Sequence, residues 1–446
     1  VLLLALVYEN EIYRRNFPPM KHLKWLLTLF IVLMMSLPLL VTAQENSAFA
    51  TNTPQRQDHA VVDSTNMPQG PVNSLLFSTN TPFAEPPTAT ASPTITPTAT
   101  FTATPTITPT ASPTLAPPAS LSEPAECAYV EGQSTSAACI AFMNAHPAPD
   151  VKEIRLDVDT LNQYSFWRVG PEAVSTYSEP GGTPTGQIPQ GFNFVNVVSQ
   201  LDGWIQSEDG QWINTNNAQY VETSHFTGVL IPENWTLAFG WVLDTTGIYA
   251  SSFPGGEADP STGLVPLHYQ RFNIFAEFVD NEGWLWYLVG PNQWVKQVYM
   301  TVIQPVERPP EIMGRWVAVD LFEQSLVAYE GNTPIFATLV STGLSGTETN
   351  EGIFEIWARL ERDAMSGATG APNAYALQSV PWVQYFDSDI SLHGTYWHDT
   401  FGYRHSRGCV NLSISDASWV FNFFNPLADS GQPVYVYVHS SGEYRG

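Results

Sequence analysis

The sequence predicts a mainly β protein, and three observations carry that expectation. From Arg315 onward, RWVAVDLFEQSLVAYEGNTPIFATLVSTGL alternates apolar and polar positions in three short runs, with turns expected at Glu330-Gly331-Asn332 and Ser341-Thr342-Gly343. Period-2 alternation is the pattern of a β-meander. Between residues 165 and 304, short aromatic and β-branched runs are bounded by Gly, Asp and Asn, which suits the strands of small barrels. One segment reads as a helix, SDASWVFNFFN at 415–425, where Ala417, Val420, Phe421 and Phe424 share a face. Ser415 is the expected cap of its first turn.

The chain of 446 residues divides by composition. Residues 1–44 form a signal-peptide region: Met20-Lys21-His22-Leu23-Lys24 is a basic head, Trp25 to Val41 is apolar, and Val41-Thr42-Ala43 ends in a small residue. Residues 1–19 suit that pattern badly, which suggests either Met20 as the true start or an unusually long n-region. An uncleaved membrane anchor is the alternative, since the apolar run is marginally long enough to span. Either way the rest of the chain is expected outside the cytoplasm, secreted or associated with the cell envelope. Residues 45–120, passing into FAEPPTATASPTITPTATFTATPTITPTASPTLAPPAS, have too little apolar surface to offset the entropy of folding, so a disordered Thr/Pro-rich linker or stalk is expected.

Residues 121–164 form a short segment with Cys127 and Cys139 twelve positions apart. In an oxidising compartment a local disulfide is the economical pairing. It leaves Cys409, the third and last cysteine, without an obvious partner.

A weak internal repeat follows. VSTYSEPGG (174–182) and FNFVNVVSQLDGWIQSEDGQWINTNNAQYV (192–221) are echoed by GIYASSFPGG (247–256) and FNIFAEFVDNEGWLWYLVGPNQWVKQVYM (272–300). Each copy has Tyr before Pro-Gly-Gly, then Asp/Glu-Gly-Trp, a turn and Gln-Trp-Ile/Val. This order resembles bacterial SH3-like domains, which implies two small SH3-like β-barrels at 165–225 and 240–304, used for wall binding or positioning. Trp204, Trp212, Trp284 and Trp294 serve either core packing, the commoner use, or a ligand groove.

Charge excludes one partner class. With 17 basic against 42 acidic residues the formal charge is −25, and only Lys21, Lys24, Lys152 and Lys296 are lysines. A nucleic-acid binder needs a basic stripe to displace counterions, and the sequence has none.

GIFEIWARL (352–360), VPWVQYF (380–386) and PVYVYVH (433–439) add strands to the C-terminal domain, expected over 315–440. Its densest chemistry is LHGTYWHDTFGYRHSRGCVNL (392–412), with His393, His398, His405 and Cys409. A metal site on these four has intervals of four, six and three residues, which match no common zinc pattern. An inert buried cysteine is ill-suited to Ser, Arg and Gly neighbours. Nucleophilic catalysis needs a thiol, a base within reach and an N–H pair for the oxyanion. Gly408 before Cys409 permits a tight turn, Arg407 adds charge favouring thiolate, and an upstream histidine supplies the base.

HGT…SRGCVNL resembles the signature of the YkuD-like L,D-transpeptidases, cysteine enzymes that cross-link bacterial peptidoglycan; the likeness runs from VDLFEQSLVAYEGN through VSTG to residue 438. It implies an L,D-transpeptidase-type β-sandwich with one or two short helices. It also implies Cys409 as nucleophile and His393 as base, the other ring nitrogen held by a backbone carbonyl such as that of Gly394. Backbone N–H groups around Gly408 and Cys409 would form the oxyanion hole, and Ser406 and Asn411 would shape the loop. Arg407 stands where the family often has His, with His405 two places earlier. Tyr396, His398 and His405 are candidate cleft residues.

The implied reaction forms a cysteinyl thioester with the stem peptide and passes it to an amine, as in cell-wall cross-linking and peptidoglycan biosynthesis. No metal or cofactor is expected, because the thioester retains the energy of the broken amide. The alternatives are an L,D-carboxypeptidase using water, a papain-like endopeptidase, and a non-catalytic wall-binding protein. In the papain-like order the cysteine precedes its histidine, the reverse of this chain.

Overall fold

The computed structural model describes residues 121, 123–243, 250–371 and 373–442; the expected signal region, the Thr/Pro-rich linker and the start of the second repeat copy lie outside the described residues. The described part is mainly β. None of its helices is long and apolar enough to cross a membrane.

Cys127 and Cys139 are joined by a disulfide. It ties the preceding turn to helix α1 (Ala137–Ala145), whose first turn is capped by the Ser136 side chain accepting from Cys139 N–H. Both cysteines are buried against Phe275, Trp286 and Trp294, so this segment completes a core formed mainly by later residues.

After β1 (Lys152–Glu153) and helix α2 (Val158–Gln163), the first small unit contains β2 (Phe166–Val169), β3 (Val174–Tyr177), β4 (Pro184–Ile188) and β5 (Phe192–Leu201), then β6 (Trp204–Ser207), β7 (Trp212–Asn214) and β8 (Ala218–Tyr220). Asp202 and Gly203 both have positive φ at the two-residue β5–β6 turn, the conformation that matches strand twist in tight hairpins. After β9 (Val229–Leu230) the second unit contains β10 (Phe239–Val242), β11 (Arg271–Asn273), β12 (Ala276–Val279), β13 (Leu285–Gly290), β14 (Gln293–Lys296) and β15 (Met300–Ile303). The repeat has a structural counterpart: β5–β6–β7 and β12–β13–β14 are each followed by a 3₁₀ turn and a closing strand. Trp294 is buried, while Trp204, Trp212 and Trp284 are half-buried.

The C-terminal domain contains β16 (Arg315–Asp320), β17 (Ser325–Glu330), β18 (Thr333–Leu339), β19 (Gly352–Glu355) and the long hairpin β20 (Ala358–Gly367) and β21 (Tyr375–Asp387). β22 (Ile390–Gly394), β23 (Val410–Leu412), helix α3 (Ile414–Ala428) and β24 (Tyr435–His439) complete it. One sheet runs β1-β9-β18-β17-β16-β24-β19, with β16 and β24 parallel. The other runs from β23 through β22 and β21 into β5 of the first small unit. Val317, Val319 and Phe336 of the first sheet, Leu392, Val410 and Leu412 of the second, and Ala417, Val420 and Phe424 of α3 share one core. Fully burying each such side chain contributes about 1.5–3 kcal/mol.

Three details differ from the sequence reading. Helix α3 begins earlier: Ser413, not Ser415, caps it by accepting from Asp416 N–H, while Ser415 Oγ accepts from Asp157 N–H at 3.0 Å. Residues 341–343 are not a hairpin turn, because Ser341 bridges Asn411 and Gly343 bridges Ser406. The edge strands β1 and β9 come from outside 315–440. The small units also share cores with this domain: Phe166 and Phe194 pack with Tyr396 and Ile414, and Phe239, Trp241 and Ile303 pack with Trp316 and Tyr329.

Candidate active site

Strands β22 and β23 run parallel, with Leu392 opposite Val410, His393 opposite Asn411 and Gly394 opposite Leu412. Leu392, Val410 and Leu412 enter the core. Strand alternation therefore sends Ser391, His393 and Asn411 to the other face. Cys409 immediately precedes β23 and joins them: Ser391 Oγ lies 3.7 Å from its sulfur. His393 is then the diagonal cross-strand neighbour of Cys409, within reach of long side chains.

His393 is buried, and its Nδ1 lies 3.2 Å from the Gly394 carbonyl, the partner named in the sequence reading. A carbonyl only accepts, so Nδ1 carries the proton and Nε2 is left basic. Burial lowers the ring's pKa to about 4, opposed by the Gly394 bond. Burial pushes the Cys409 thiol above its ordinary value of 9.0; hydrogen bonds with Ser391 oppose this and the Asp389 charge adds to it. At neutral pH the site therefore rests as a neutral thiol beside a neutral imidazole.

The nucleophile loop is braced from within and from the 341–349 segment. Ser406 Oγ accepts from Gly408 N–H at 3.1 Å and donates to the Cys409 carbonyl. Thr349 Oγ1 donates to the Gly408 carbonyl at 2.6 Å and accepts from Gly343 N–H at 3.0 Å. Gly408 has φ +119°, and an added Cβ would sit 3.3 Å from Ile390 Cδ1. Gly408→Ala should therefore cost about 1–3 kcal/mol of stability, the usual strain of such a backbone, and lower turnover with it. Thermal unfolding beside a donor assay checks this; an unchanged Tm would remove the strain argument.

Several expected roles change. The Gly408 N–H is committed to Ser406 and is not free for an oxyanion in this arrangement. Arg407 lies with its guanidinium carbon 4.8 Å from the Tyr375 ring centre, and the groups acting on the thiol are Ser391 and Asp389. Tyr396 is not a cleft residue: it is 1 % exposed, stacks on Phe166 at 3.6 Å and donates to the Gln378 carbonyl. His398 is half-buried; its Nδ1 accepts from Thr400 N–H at 3.2 Å, and its Nε2 lies 2.9 Å from Asn411 Nδ2. Burial, then the neighbouring His405 and His393, lower its pKa to about 3. His405 is exposed, its ring 4.2 Å from that of His398.

Ser391, Asp389, Tyr375 and Tyr385 were not singled out from the sequence. Ser391 was within reach of strand alternation, two positions before His393. The two tyrosines come from β21, and burial raises the pKa of each hydroxyl, with Asp363 adding most of the rest at Tyr385. Both small units also touch elements next to the site. Asn196 N–H donates to Gln378 Oε1 in β21 at 3.1 Å, and Tyr269 OH donates to the Asp399 carbonyl at 2.9 Å. Among the described residues no group of three His, Cys, Asp or Glu is placed to hold a metal ion.

Comparison with known proteins adds the following. Residues 314–436 match the family model of the YkuD L,D-transpeptidase catalytic domain. Among solved structures, the chain is 26% identical to an L,D-transpeptidase from Stackebrandtia nassauensis (TM-score 0.24), over 31% of this chain and 59% of that one. It is 23% identical to an Enterococcus faecium L,D-transpeptidase (TM-score 0.25; 30% and 55% covered). A Mycobacterium smegmatis L,D-transpeptidase is 18% identical (TM-score 0.25; 49% and 93% covered). The chain thus spans little more than half of the first two structures. No curated protein matches it.

Proposed function

Residues 314–436 of this chain are a YkuD-type L,D-transpeptidase catalytic domain, and from that premise we propose that the protein is an exported peptidoglycan L,D-transpeptidase with Cys409 as nucleophile and His393 as general base. The observation that carries the reading is the placement of Cys409, Ser391 and His393 on one face of the parallel β22–β23 pair, inside the matched segment.

Cys409 Sγ bonds to the carbonyl carbon of the third stem-peptide residue as His393 Nε2 takes the thiol proton. The tetrahedral adduct collapses, the C–N bond breaks, and the departing terminal D-amino acid receives that proton on its amine. An amine from a neighbouring stem then attacks the thioester, the C–S bond breaks, and the proton released by the amine returns through His393 to sulfur. The Gly394 carbonyl keeps the imidazole in the tautomer that this cycle needs. The two small β units, read as SH3-like, would position the head against the wall.

Incubation with a defined tetrapeptide donor tests the reading by intact-protein mass. The parent should gain the acyl group with loss of the terminal residue, and Cys409→Ala should gain nothing, with turnover down at least ~10³-fold. A Cys409→Ala protein that still exchanged the terminal residue would overturn the assignment. Products formed with and without an amine acceptor separate transfer from hydrolysis.

A further inference from the structure

We propose that Arg407 is a specificity-determining residue that binds the free carboxylate of the departing D-amino acid, an assignment that rests on the acyl-transfer reading above. The argument starts from charge. In a chain of formal charge −25, an exposed guanidinium stands two residues before the nucleophile. Among the described residues its nearest assigned contact is an aromatic face, and the ion pairs formed are Arg271–Glu153, Arg315–Glu330 and Arg362–Glu208. The guanidinium lies over the Tyr375 ring, 4.8 Å from its centre, and a guanidinium presents a planar N–H fork whose geometry matches a carboxylate.

The arrangement is also held in place. Tyr375 is fixed between two strands, opposite Gly367 of β20 and Phe192 of β5. The link from Arg407 to Cys409 is pinned at Gly408 on both sides, through Ser406 Oγ on its N–H and Thr349 Oγ1 on its carbonyl. Arg407 lies 4.8 Å from the Tyr375 ring centre and two residues from Cys409, across a Gly408 held on both sides, so the space beside the nucleophile is bounded by a cation.

Donor chemistry fits that space. In a stem ending one residue after the attacked carbonyl, the terminal carboxylate lies about one residue step, ~3.8 Å, beyond it. A further residue would carry the anion outward by the same distance again. A cation fixed two positions from the nucleophile therefore selects donors that end there with a free acid. Because the leaving residue keeps its carboxylate while its amine gains a proton, the contact persists until product release.

The test compares tetrapeptide donors ending in D-alanine or D-alaninamide, and the pentapeptide with one more D-alanine, on the full chain and on Arg407→Gln and Arg407→Lys. Released residues are quantified by mass spectrometry to give kcat and KM. The parent should prefer the acid over the amide by about 10- to 100-fold in kcat/KM, mostly through KM, as expected for a charge-assisted pair. Arg407→Gln should lose that preference by slowing on the acid alone, and Arg407→Lys should restore part of it. An unchanged acid-to-amide ratio in Arg407→Gln overturns the inference, and so does equal loss on both donors, which would mean a structural role. Failure of the parent to acylate Cys409 with any donor overturns the transferase reading and this inference together.

Discussion

Replacing His393 with glutamine will lower kcat/KM for a tetrapeptide donor by about 10²–10⁴-fold near pH 7, the usual contribution of a positioned general base, and will change the shape of the pH profile. The imidazole pKa sits near 4 because burial disfavours its charged form, and burial holds the thiol above its ordinary 9.0. Between those limits the parent has a base ready to accept a proton and a thiol ready to give one. Its activity should rise as pH passes through about 4 and then stay level through neutrality. The variant has no base, so it reacts only through the small thiolate fraction, which grows tenfold per pH unit below the thiol pKa. Its deficit should therefore shrink steadily as pH rises toward 9. Donor turnover from pH 4 to 10, with iodoacetamide labelling of Cys409 alongside, measures both curves. Parallel profiles for the two proteins would exclude His393 as the base.

Much of the site was legible because its decisive residues are local. The interval from His393 to Cys409 is one strand, one loop and the start of the next strand, and Gly408 announces a backbone that only glycine adopts without strain. What escaped was whatever depends on distant chain. Tyr375 and Tyr385 come from β21, whose placement is set by pairing with β20 along one edge and with β5 and β22 at the two ends of the other. Tyr396, only three positions from His393, looked like cleft and is core, because a small unit more than 200 residues earlier supplies Phe166 as its stacking partner. Local spacing cannot distinguish an aromatic facing substrate from one facing another domain.

The fold divides along the same line. Alternation from Arg315 and the apolar face of α3 were readable, since burial on one side writes the pattern directly. Strands of two residues, such as β1 and β9, carry no periodicity at all, yet they extend the first sheet past β18. The 13-residue β21 was read only in its C-terminal half. Ser379 and Trp382 within it have positive φ, and such irregularities shift the alternation that a sequence pattern relies on.

Asp416→Asn will raise stability above pH 7 and flatten its pH dependence, the largest stability effect expected of a single conservative change in this domain. Asp416 is wholly buried in the first turn of α3 and holds three elements together: its Oδ1 accepts from Gly228 N–H at 2.7 Å, its Oδ2 from Thr338 Oγ1 at 2.6 Å, and its own N–H donates to Ser413. Those bonds favour the carboxylate, but burial outweighs them and lifts the pKa from 3.8 to about 7. A folded-state pKa above the unfolded value means that the contribution to stability is fully present below about pH 4 and lost as pH rises through about 7. At ~1.4 kcal/mol per pKa unit, the whole displacement corresponds to roughly 4 kcal/mol. The amide is neutral at every pH, keeps an acceptor for Gly228, and faces Thr338 with an N–H that the hydroxyl accepts after rotating. Denaturant unfolding of both proteins from pH 4 to 9 should show the parent losing stability relative to the variant, most steeply between about pH 5 and 7 and levelling off above the folded-state pKa. A constant difference across that range would mean that the carboxyl is ionised throughout and that the hydrogen bonds it accepts outweigh its burial.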